Sequence, residues 1–256
     1  MKKKAVDKIH LLIVSLFWAL VLGIILFLSA FTYYARAIPS PDVIISRRIN
    51  ESTKILDRTG EILLYNNHGE EKRTVIPKEE IPDNLKNAVI ATEDVNFYNH
   101  KGLDLKGIAR ALVKNIETAS VSQGGSTITQ QLVKKALLGD ERTFSRKFKE
   151  IILSLQIEQK FSKDEILWMY LNQIPFGSNN YGAEAAAQFF FQKKAKDLTL
   201  NESAALAAVI RAPSYYSPFG SHKEDLTTRK NLILKKMKEL EFISEEEFNE
   251  TANQTL

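Results

Sequence analysis

The sequence contains no cysteine among its 256 residues. This absence excludes disulfide bonds and every metal site that depends on thiolate ligands. Repeat periods and low-complexity tracts are also absent. Apolar residues make up 44% of the chain and charged residues 26%, proportions that are typical of a folded domain rather than a disordered chain. The length allows one sizeable domain with an appendage.

Most of the chain also lacks a charge bias. The net charge is +4, but residues 1–10 contain four lysines and a single aspartate. The basic character therefore belongs mostly to the N-terminal end, and it does not indicate a nucleic-acid partner. We expect residues 1–10 to form a basic tail.

Charged residues are absent from 11–31, which are nearly all apolar. A helix over these residues would be about 30 Å long, which is the hydrocarbon thickness of a bilayer. The preceding lysines predict a cytoplasmic N-terminus, with the remainder of the chain on the outer side. A cleaved signal peptide is the alternative, because Ala35-Arg36-Ala37 resembles a cleavage site. The length of the apolar run favours an uncleaved transmembrane helix.

After this predicted span we expect a linker over 32–53, because Pro39 and Pro41 disfavour helix there. The sequence from Lys54 to Tyr65 predicts a β-hairpin that turns near Gly60.

Apart from this hairpin, apolar periodicity predicts helices nearly everywhere in a folded domain over 54–256. We divide this domain into a core at about 54–220 and a helical tail over 221–256. Serine or threonine three residues before glutamate predicts helix starts at Ser162, Thr199 and Ser244.

The stretch ATEDVNFYNHKGLD, residues 91–104, concentrates acids, aromatics, an imidazole and a glycine between two predicted helices. Such polar groups are poor core material, because each would need a buried partner. Loops carried on rigid helices often hold catalytic groups. Glu93 is expected at the end of the first helix, and Asp104 as the N-cap of the second. A polar surface loop is the alternative interpretation.

A second stretch begins with the pair Gly124-Gly125 and leads directly into a helix. Glycine lets the backbone approach a ligand closely, and a helix N-terminus offers unpaired N–H groups to an anion. One predicted face of this helix is polar, with Thr127, Gln131 and Lys134. The opposite, apolar face is predicted to be buried and contains Ile128, Leu132 and Ala136. An ordinary amphipathic helix without a ligand has the same pattern.

A further helix is predicted over about 143–160. Its predicted apolar stripe consists of Phe144, Phe148, Ile151 and Leu155. Glu150 falls on the other side, with Arg146 one turn before it. Taken alone, Glu150 and the earlier Arg110 also fit solvated charges on helix surfaces.

Four segments together resemble a known family. They are EDVNFYNHKGLD, GGSTITQQLVK, RKFKE followed by KDEILWMYLNQIPFG, and RAPSYYSP. In this order they look like the signature motifs of glycosyltransferase family 51. That family comprises the peptidoglycan glycosyltransferase domains of class A penicillin-binding proteins and the monofunctional transglycosylases. The resemblance covers the chain from about Lys54 to its end.

The resemblance implies a mainly α fold, with a lysozyme-like helical domain and a small membrane-proximal jaw beside the short β-hairpin. It implies polymerisation of lipid II into β-1,4-linked glycan strands, with release of undecaprenyl pyrophosphate and sensitivity to moenomycin. The substrates would be lipid II and the lipid-linked glycan chain. The localisation would be the outer side of the bacterial cytoplasmic membrane, where other cell-wall synthesis proteins are potential partners.

The resemblance also assigns roles to residues. Glu93 matches the general base, which takes a proton from the attacking sugar hydroxyl. Glu150 matches the second essential acid, and it would either orient cations or hold a divalent ion, Mg²⁺ or Mn²⁺. Three basic residues match positions that contact the pyrophosphate: Arg110, Lys134 and Arg142. The remaining matched positions shape the substrate sites: Asp94, Phe97, His100, Gly125, Ser126, Thr127, Gln131, Arg146 and Lys147.

No organic cofactor is expected. The motifs S-x-x-K and K-T-G do not occur, so this chain is expected to carry no transpeptidase module. It would be either a monofunctional enzyme or part of a bifunctional one. Two other functions remain as alternatives: a lysozyme-like enzyme that cleaves glycan, and a non-catalytic membrane-anchored scaffold.

Overall fold

The structure is a computed structural model. It describes residues 2–35, 53–56, 58–59, 63–67, 72–110, 125–138 and 143–255. These residues are mainly helical, as the sequence predicts.

The first element is the long helix α1, Lys2–Ala35, which contains the predicted membrane span. Many of its apolar side chains are exposed, among them Leu11 and Trp18. Among the described helices, none is both long enough and apolar enough to span a bilayer. The predicted span over 11–31 is therefore not confirmed and stays a prediction. The predicted linker lies mostly outside the described residues.

Within the described residues, four short strands form two small sheets. β1, Thr53–Leu56, pairs antiparallel with β2, Leu63–Asn67, and this pairing confirms the predicted hairpin. Ile55 pairs with Tyr65, and the register shifts after Ile55. β3, Lys72–Arg73, pairs in parallel with β4, Asn180–Tyr181.

The remaining helices follow in chain order. They are α2, Asp83–Glu93; α3, Ile128–Val133; α4, Phe144–Lys160; α5, Lys163–Gln173; α6, Ala183–Phe191; α7, Leu200–Ile210; α8, Lys223–Glu239; and α9, Glu245–Ala252. Residues 105–110 are also helical, and α3 continues into a π-helical turn, Lys134–Leu138. A 3₁₀ turn, Phe97–Asn99, lies in the loop after α2.

Local sequence fixes where several of these helices begin. At Ser162, Thr199 and Ser244 the side-chain oxygen accepts the N–H three residues on, and the glutamate there accepts the N–H of the capping residue. These reciprocal bonds satisfy backbone N–H groups that have no partner within the helix. The three predicted capping boxes are confirmed.

Helix α7 is the centre of the fold. From Ser203 to Ile210 all of its side chains are buried, as expected for a helix that is apolar on every side. It packs against α2, α6, α8 and α9. Within the predicted tail, Leu226, Ile233 and Met237 are buried in the same hydrophobic core as α2 and α7. The tail therefore completes the core on which the end of α2 rests.

The predicted apolar stripe of α4 is not the face that is buried in the core. Phe144 is 98% exposed, whereas Glu150, Ser154 and Ile157 are buried. Two rows along this helix contain apolar residues, and periodicity alone does not decide which of them faces the core. The structure turns the row with Glu150 inward, because Ile152, Leu153 and Ile157 adjoin it.

Candidate active site

Glu93 lies at the C-terminal end of α2, as predicted, and is partly buried. Its Oε2 accepts a hydrogen bond of 2.8 Å from Nε2 of Gln131 on α3. Oε1 of Gln131 in turn accepts a bond of 3.1 Å from the hydroxyl of Tyr170 on α5. Within the described residues, the other carboxylate oxygen of Glu93 accepts no hydrogen bond. One oxygen is therefore oriented by the protein, and the other remains available as a base.

Tyr170 acts as a donor in this chain of bonds. Burial raises the pKa of its hydroxyl well above the ordinary value, and the charges of Glu93 and Asp94 raise it further. The phenol therefore keeps its proton, and its bond fixes which end of the Gln131 amide faces Glu93. Sequence reasoning did not select Tyr170, since a tyrosine within an apolar helix looks like an ordinary core residue.

Asp94 and His100 are joined to each other. Nε2 of His100 lies 2.9 Å from Oδ2 of Asp94, and that oxygen also accepts the backbone N–H of Ile128 at 3.0 Å. Both side chains are buried. A carboxylate at the first turn of α3 is favourable, because backbone N–H groups point toward it there. This pair ties the loop after α2 to the start of α3.

A second tie joins the same loop to α3. The hydroxyl of Thr127 donates to the carbonyl of Gly102 at 2.7 Å and accepts the N–H of Gln130. Thr127 is therefore buried as the N-cap of α3, while Gln131 faces Glu93. Gly102 has φ of +86°, and a Cβ there would lie 2.9 Å from the carbonyl oxygen of Ser154. Only glycine fits between this loop and α4.

Glu150 has a different environment. It is buried, and its two oxygens accept from Nη1 of Arg146 at 2.7 Å and from Nζ of Lys147. Lys147 also donates to the hydroxyl of Ser126 at 3.0 Å. The carboxylate therefore compensates two cations at the surface and fixes their direction.

The segment Ser126–Gln131, which includes the cap and the first turn of α3, connects the two acids. Ser126 contacts the cluster around Glu150, and Gln131 contacts Glu93. The structure thus brings together side chains from α2, α3 and α4 that are far apart in the sequence. At one end of this segment is a carboxylate with one oxygen that has no partner within the described residues, and at the other a pair of oriented cations.

Other predicted site residues lie around this arrangement. Phe97 is fully buried, with its ring edge-on to Tyr98 and His100. Gly125 lies against Ile108, so that the helical residues 105–110, which carry the exposed Arg110, adjoin the start of α3.

Lys134 is partly buried where the π-helical turn begins, one turn after Gln131. Single π-helical turns are frequent at functional sites. Arg142 lies outside the described residues.

A cavity of about 220 Å³ lies between α2 and α5. Its lining includes Lys86, Tyr98, Asp164 and Trp168 but neither Glu93 nor Glu150. We therefore do not associate it with the two acids.

Glu150 does not fit the role of a metal ligand. A divalent cation such as Mg²⁺ requires free carboxylate oxygens, and both oxygens of Glu150 already bind cationic groups. Within the described residues, no three acidic or histidine side chains are grouped as a metal site. The other predicted role, orienting cations, agrees with this geometry.

Comparisons with known proteins identify the family. A family model described as Transglycosylase matches residues 60–238. Penicillin-binding protein 1A of Aquifex aeolicus (strain VF5) is 42% identical over 238 residues, which are 93% of this chain and 32% of that protein. Penicillin-binding protein 1F of Bacillus subtilis (strain 168) is 41% identical over 210 residues, which are 81% of this chain and 29% of that protein.

A solved structure, penicillin-binding protein 1A from Haemophilus influenzae, is similar with a TM-score of 0.47 and 24% sequence identity. The similarity covers 82% of this chain and 21% of that one. The chain spans about a third of the length of the curated relatives it matches. Because the family model matches more than half of the sequence and relatives above 40% identity align with most of it, the chain belongs to the transglycosylase family.

Proposed function

We propose that this chain is a peptidoglycan glycosyltransferase that polymerises lipid II. The observation that carries the proposal is the contrast between the two acids. Glu93 is held by Gln131 and, as far as the described residues go, has one oxygen without a partner, whereas both oxygens of Glu150 bind cations. This combination suits a reaction that needs a base at one end and an anion-binding group at the other. Membership of the transglycosylase family supports it.

The acceptor in this reaction is the 4-hydroxyl of the GlcNAc of lipid II. Its oxygen attacks C1 of the lipid-linked glycan chain, and the bond from C1 to the pyrophosphate oxygen breaks. The hydroxyl proton passes to Glu93, and undecaprenyl pyrophosphate departs with the electron pair. A single displacement inverts the configuration at C1 and yields the β-1,4 linkage.

The leaving pyrophosphate gains negative charge, which preorganised cations stabilise better than reorienting water does. We assign this task to Arg146 and Lys147, which Glu150 holds in place. Lys134, Arg110 and Arg142 are proposed to contact the same group. Ser126 would direct Lys147 toward the substrate. Thr127, Asp94 and His100 would act indirectly, by fixing the loop that follows Glu93.

A divalent cation is a separate proposal. Because Glu150 does not fit as its ligand, the ion would have to be held mainly by the pyrophosphate. Polymerisation measured with and without EDTA tests the requirement.

We further propose that α1 anchors the chain in the cytoplasmic membrane and that the domain lies on the outer side. The support is the uncharged run 11–31 and its exposed apolar side chains, since such surfaces mark contact with a membrane or partner. Both substrates carry lipid tails, so confinement to the bilayer would raise their effective concentration. We also propose that the domain has a lysozyme-like core with a membrane-proximal jaw. Association with other cell-wall synthesis proteins is proposed as well.

The decisive test is incubation of the purified chain with lipid II alone. We expect glycan polymer to form and moenomycin to block it. Glu93→Gln keeps the shape of the side chain but removes the base, so we expect polymerisation to fall by about 10²–10⁴-fold with folding intact. Glu239→Gln, an exposed glutamate on α8, is the control and should retain activity.

Near wild-type polymerisation by Glu93→Gln would refute the role of Glu93. A glycan-cleaving enzyme would instead need preformed glycan and give no polymer from lipid II. A scaffold would give neither activity.

A further inference from the structure

The cavity between α2 and α5 has no part in the proposed chemical step. Its volume is about 220 Å³, and neither Glu93 nor Glu150 lines it. Pockets for drug-sized ligands measure roughly 300–1,000 Å³. A volume somewhat below that range suits one ring-sized group rather than a whole lipid-linked substrate.

Part of the cavity lining is apolar and held in place by the core. Ile81, Leu167 and Leu171 belong to the lining, and each is at most 2% exposed. Trp168 adds a flat aromatic surface, and its Nε1 donates to the carbonyl of Ile76 at 2.8 Å. Because this bond fixes the indole, the aromatic surface is already oriented before a ligand binds.

The charged groups of the lining are paired with one another. Nζ of Lys78 lies 3.3 Å from Oδ2 of Asp164, and Nζ of Lys86 lies 2.9 Å from Oδ1 of Asp83. Two ammonium groups and two carboxylates leave the lining without net charge. A phosphate or pyrophosphate would have to displace a carboxylate that is already bound. The cavity is therefore better matched to a neutral ligand.

Hydrogen-bonding capacity remains on the same lining. The side chain of Asn87 lines the cavity from α2, and within the described residues its amide forms no hydrogen bond. An amide both donates and accepts. The ammonium groups of Lys78 and Lys86 also have N–H donors beyond the one that each uses in its ion pair. A ligand with several groups that donate and accept would satisfy them.

A sugar ring meets each of these requirements. It is uncharged, it has an apolar C–H face that packs against an aromatic ring, and its hydroxyl groups both donate and accept hydrogen bonds. Trp168 would contact the face of the ring, while Asn87 and the two lysines would bind its hydroxyls.

The cavity lies within reach of the proposed base. Lys86 and Glu93 are seven residues apart on α2, which places them about 10 Å apart along the axis and on nearly the same face. Leu171 adjoins Tyr170, whose hydroxyl binds the Gln131 that holds Glu93. A short oligosaccharide with one end at Glu93 spans such a distance.

We propose that this cavity is a saccharide-binding site, in which Asn87 and Trp168 hold one sugar of the glycan strand away from the reacting centre. That the sugar belongs to the strand rests on the proposed function, whereas the fit of the cavity to a sugar does not. A strand that is retained between additions is extended repeatedly instead of being released.

The sequence offers a local reporter for the test, because its two tryptophans are Trp18 and Trp168. In the full chain with Trp18→Phe, indole fluorescence comes from Trp168 alone. We expect titration with chitotetraose, a β-1,4-linked oligomer of N-acetylglucosamine, to change this fluorescence until it saturates. In this background, Asn87→Ala should raise the Kd about fivefold, the equivalent of one hydrogen bond.

The matched control is Asn84→Ala, the same substitution on α2 at a position that does not line the cavity, and its Kd should be unchanged. Absence of a saturable change, or an equal Kd for Asn87→Ala and the control, overturns the proposal. An equal response to the dipeptide alanylalanine, whose two charges match the ion pairs, would also overturn it. If circular dichroism shows that Asn87→Ala does not fold, Lys86→Ala takes its place.

Failure of the proposed function has a different signature. The titration involves no catalysis, so it gives the same answer if wild type makes no polymer or Glu93→Gln remains active. With lipid II, at equal consumption of substrate, Asn87→Ala should release shorter strands than Asn84→Ala. Strands of equal length from an active enzyme would show that the cavity does not hold the glycan strand.

Discussion

At the scale of single residues, Glu93 and Glu150 show how environment separates two identical side chains. Glu93 ends a helix and is bound on one side by an amide donor. Glu150 lies in the middle of α4, where Arg146 and Lys147 reach it from the preceding turn. Within the described residues, one oxygen of Glu93 accepts no hydrogen bond and is available to a substrate hydroxyl, whereas Glu150 uses both of its oxygens to orient two cations.

The first residue prediction concerns Glu150→Gln. Removing one member of a buried ion pair leaves the others uncompensated, and we expect a loss of about 3 kcal/mol in the free energy of unfolding. The polymerisation rate should fall by more than the smaller fraction of folded protein explains, because Arg146 and Lys147 lose their orientation. Urea unfolding and initial rates with lipid II measure the two effects.

Glu158→Gln is the matched control for that variant. Glu158 lies on the same helix, is similarly buried and pairs with Lys163 at 2.8 Å. It should lose similar stability but keep its activity. Full activity in Glu150→Gln would contradict the proposed role of Glu150.

The second residue prediction concerns Tyr170→Phe. This change leaves the carbonyl of Gln131 without its donor, at a cost of about 1 kcal/mol in stability. The freed amide no longer presents a fixed N–H to Glu93, so kcat should fall by about fivefold, the rate equivalent of the same free energy.

Steady-state kinetics and thermal melts measure both effects of Tyr170→Phe. Tyr98→Phe, which removes a hydroxyl bound to Asp164 at 3.0 Å, is the control and should leave kcat unchanged. Equal kcat in Tyr170→Phe and wild type would show that the hydroxyl does not position Glu93.

At the scale of elements, short side-chain caps set the helix starts from which the site is built. Asp104 caps the helical residues 105–110: its Oδ1 accepts the N–H of Gly107 at 2.9 Å, and its Oδ2 accepts from Asn96 at 2.9 Å. Burial alone would raise the pKa of this carboxyl, but the bonds from Asn96 and Gly107, with the charges of His100 and Arg110, lower it overall.

The element prediction follows from this lowered pKa. Asp104→Ala should cost about 1 kcal/mol of stability at pH 7, as is typical for loss of an N-cap. A carboxyl with a lowered folded-state pKa stabilises the fold above its unfolded value of about 3.9, and this contribution is lost as pH falls through the folded value. The difference between wild type and variant should therefore shrink below about pH 4.

Urea unfolding of Asp104→Ala and wild type at pH 7, 5 and 3 gives this difference directly. Other carboxylates titrate equally in both proteins, so they cancel from the comparison. A difference that stays constant from pH 7 to pH 3 would mean that the charge of Asp104 does not strengthen the cap.

At the scale of the whole molecule, α7, buried from Ser203 to Ile210, holds α2 and α8 in place, and with α2 it fixes Glu93. The match to the transglycosylase family ends at residue 238, within α8. The helix is therefore as much a part of the family's fold as the segments that carry the motifs.

The prediction at this scale concerns the membrane. We expect the full chain to float with phospholipid vesicles on a density gradient. The double variant with Leu20→Lys and Leu22→Lys should float to a smaller extent, since each lysine costs about 3 kcal/mol at the centre of a spanning helix. The control is Leu232→Lys, an exposed leucine on α8, which should float as wild type does. Vesicle binding that survives both lysines in α1 would place the membrane contact elsewhere.

The sequence by itself determined the helical class, the hairpin, the capping boxes and the placement of Glu93 at a helix end. These features depend on residues close together in the chain, where capping oxygens and apolar periodicity act directly. The sequence also predicted the two acids as site residues, because the ordered motifs contain them.

Only the tertiary structure decided which face of α4 is buried, that Thr127 is a cap rather than part of the face near Glu93, and that Tyr170 reaches Glu93 through Gln131. Each depends on which distant helix lies opposite, and periodicity within one helix carries no information about its neighbour. Two apolar rows on α4 are equivalent until α3 and α5 cover one of them.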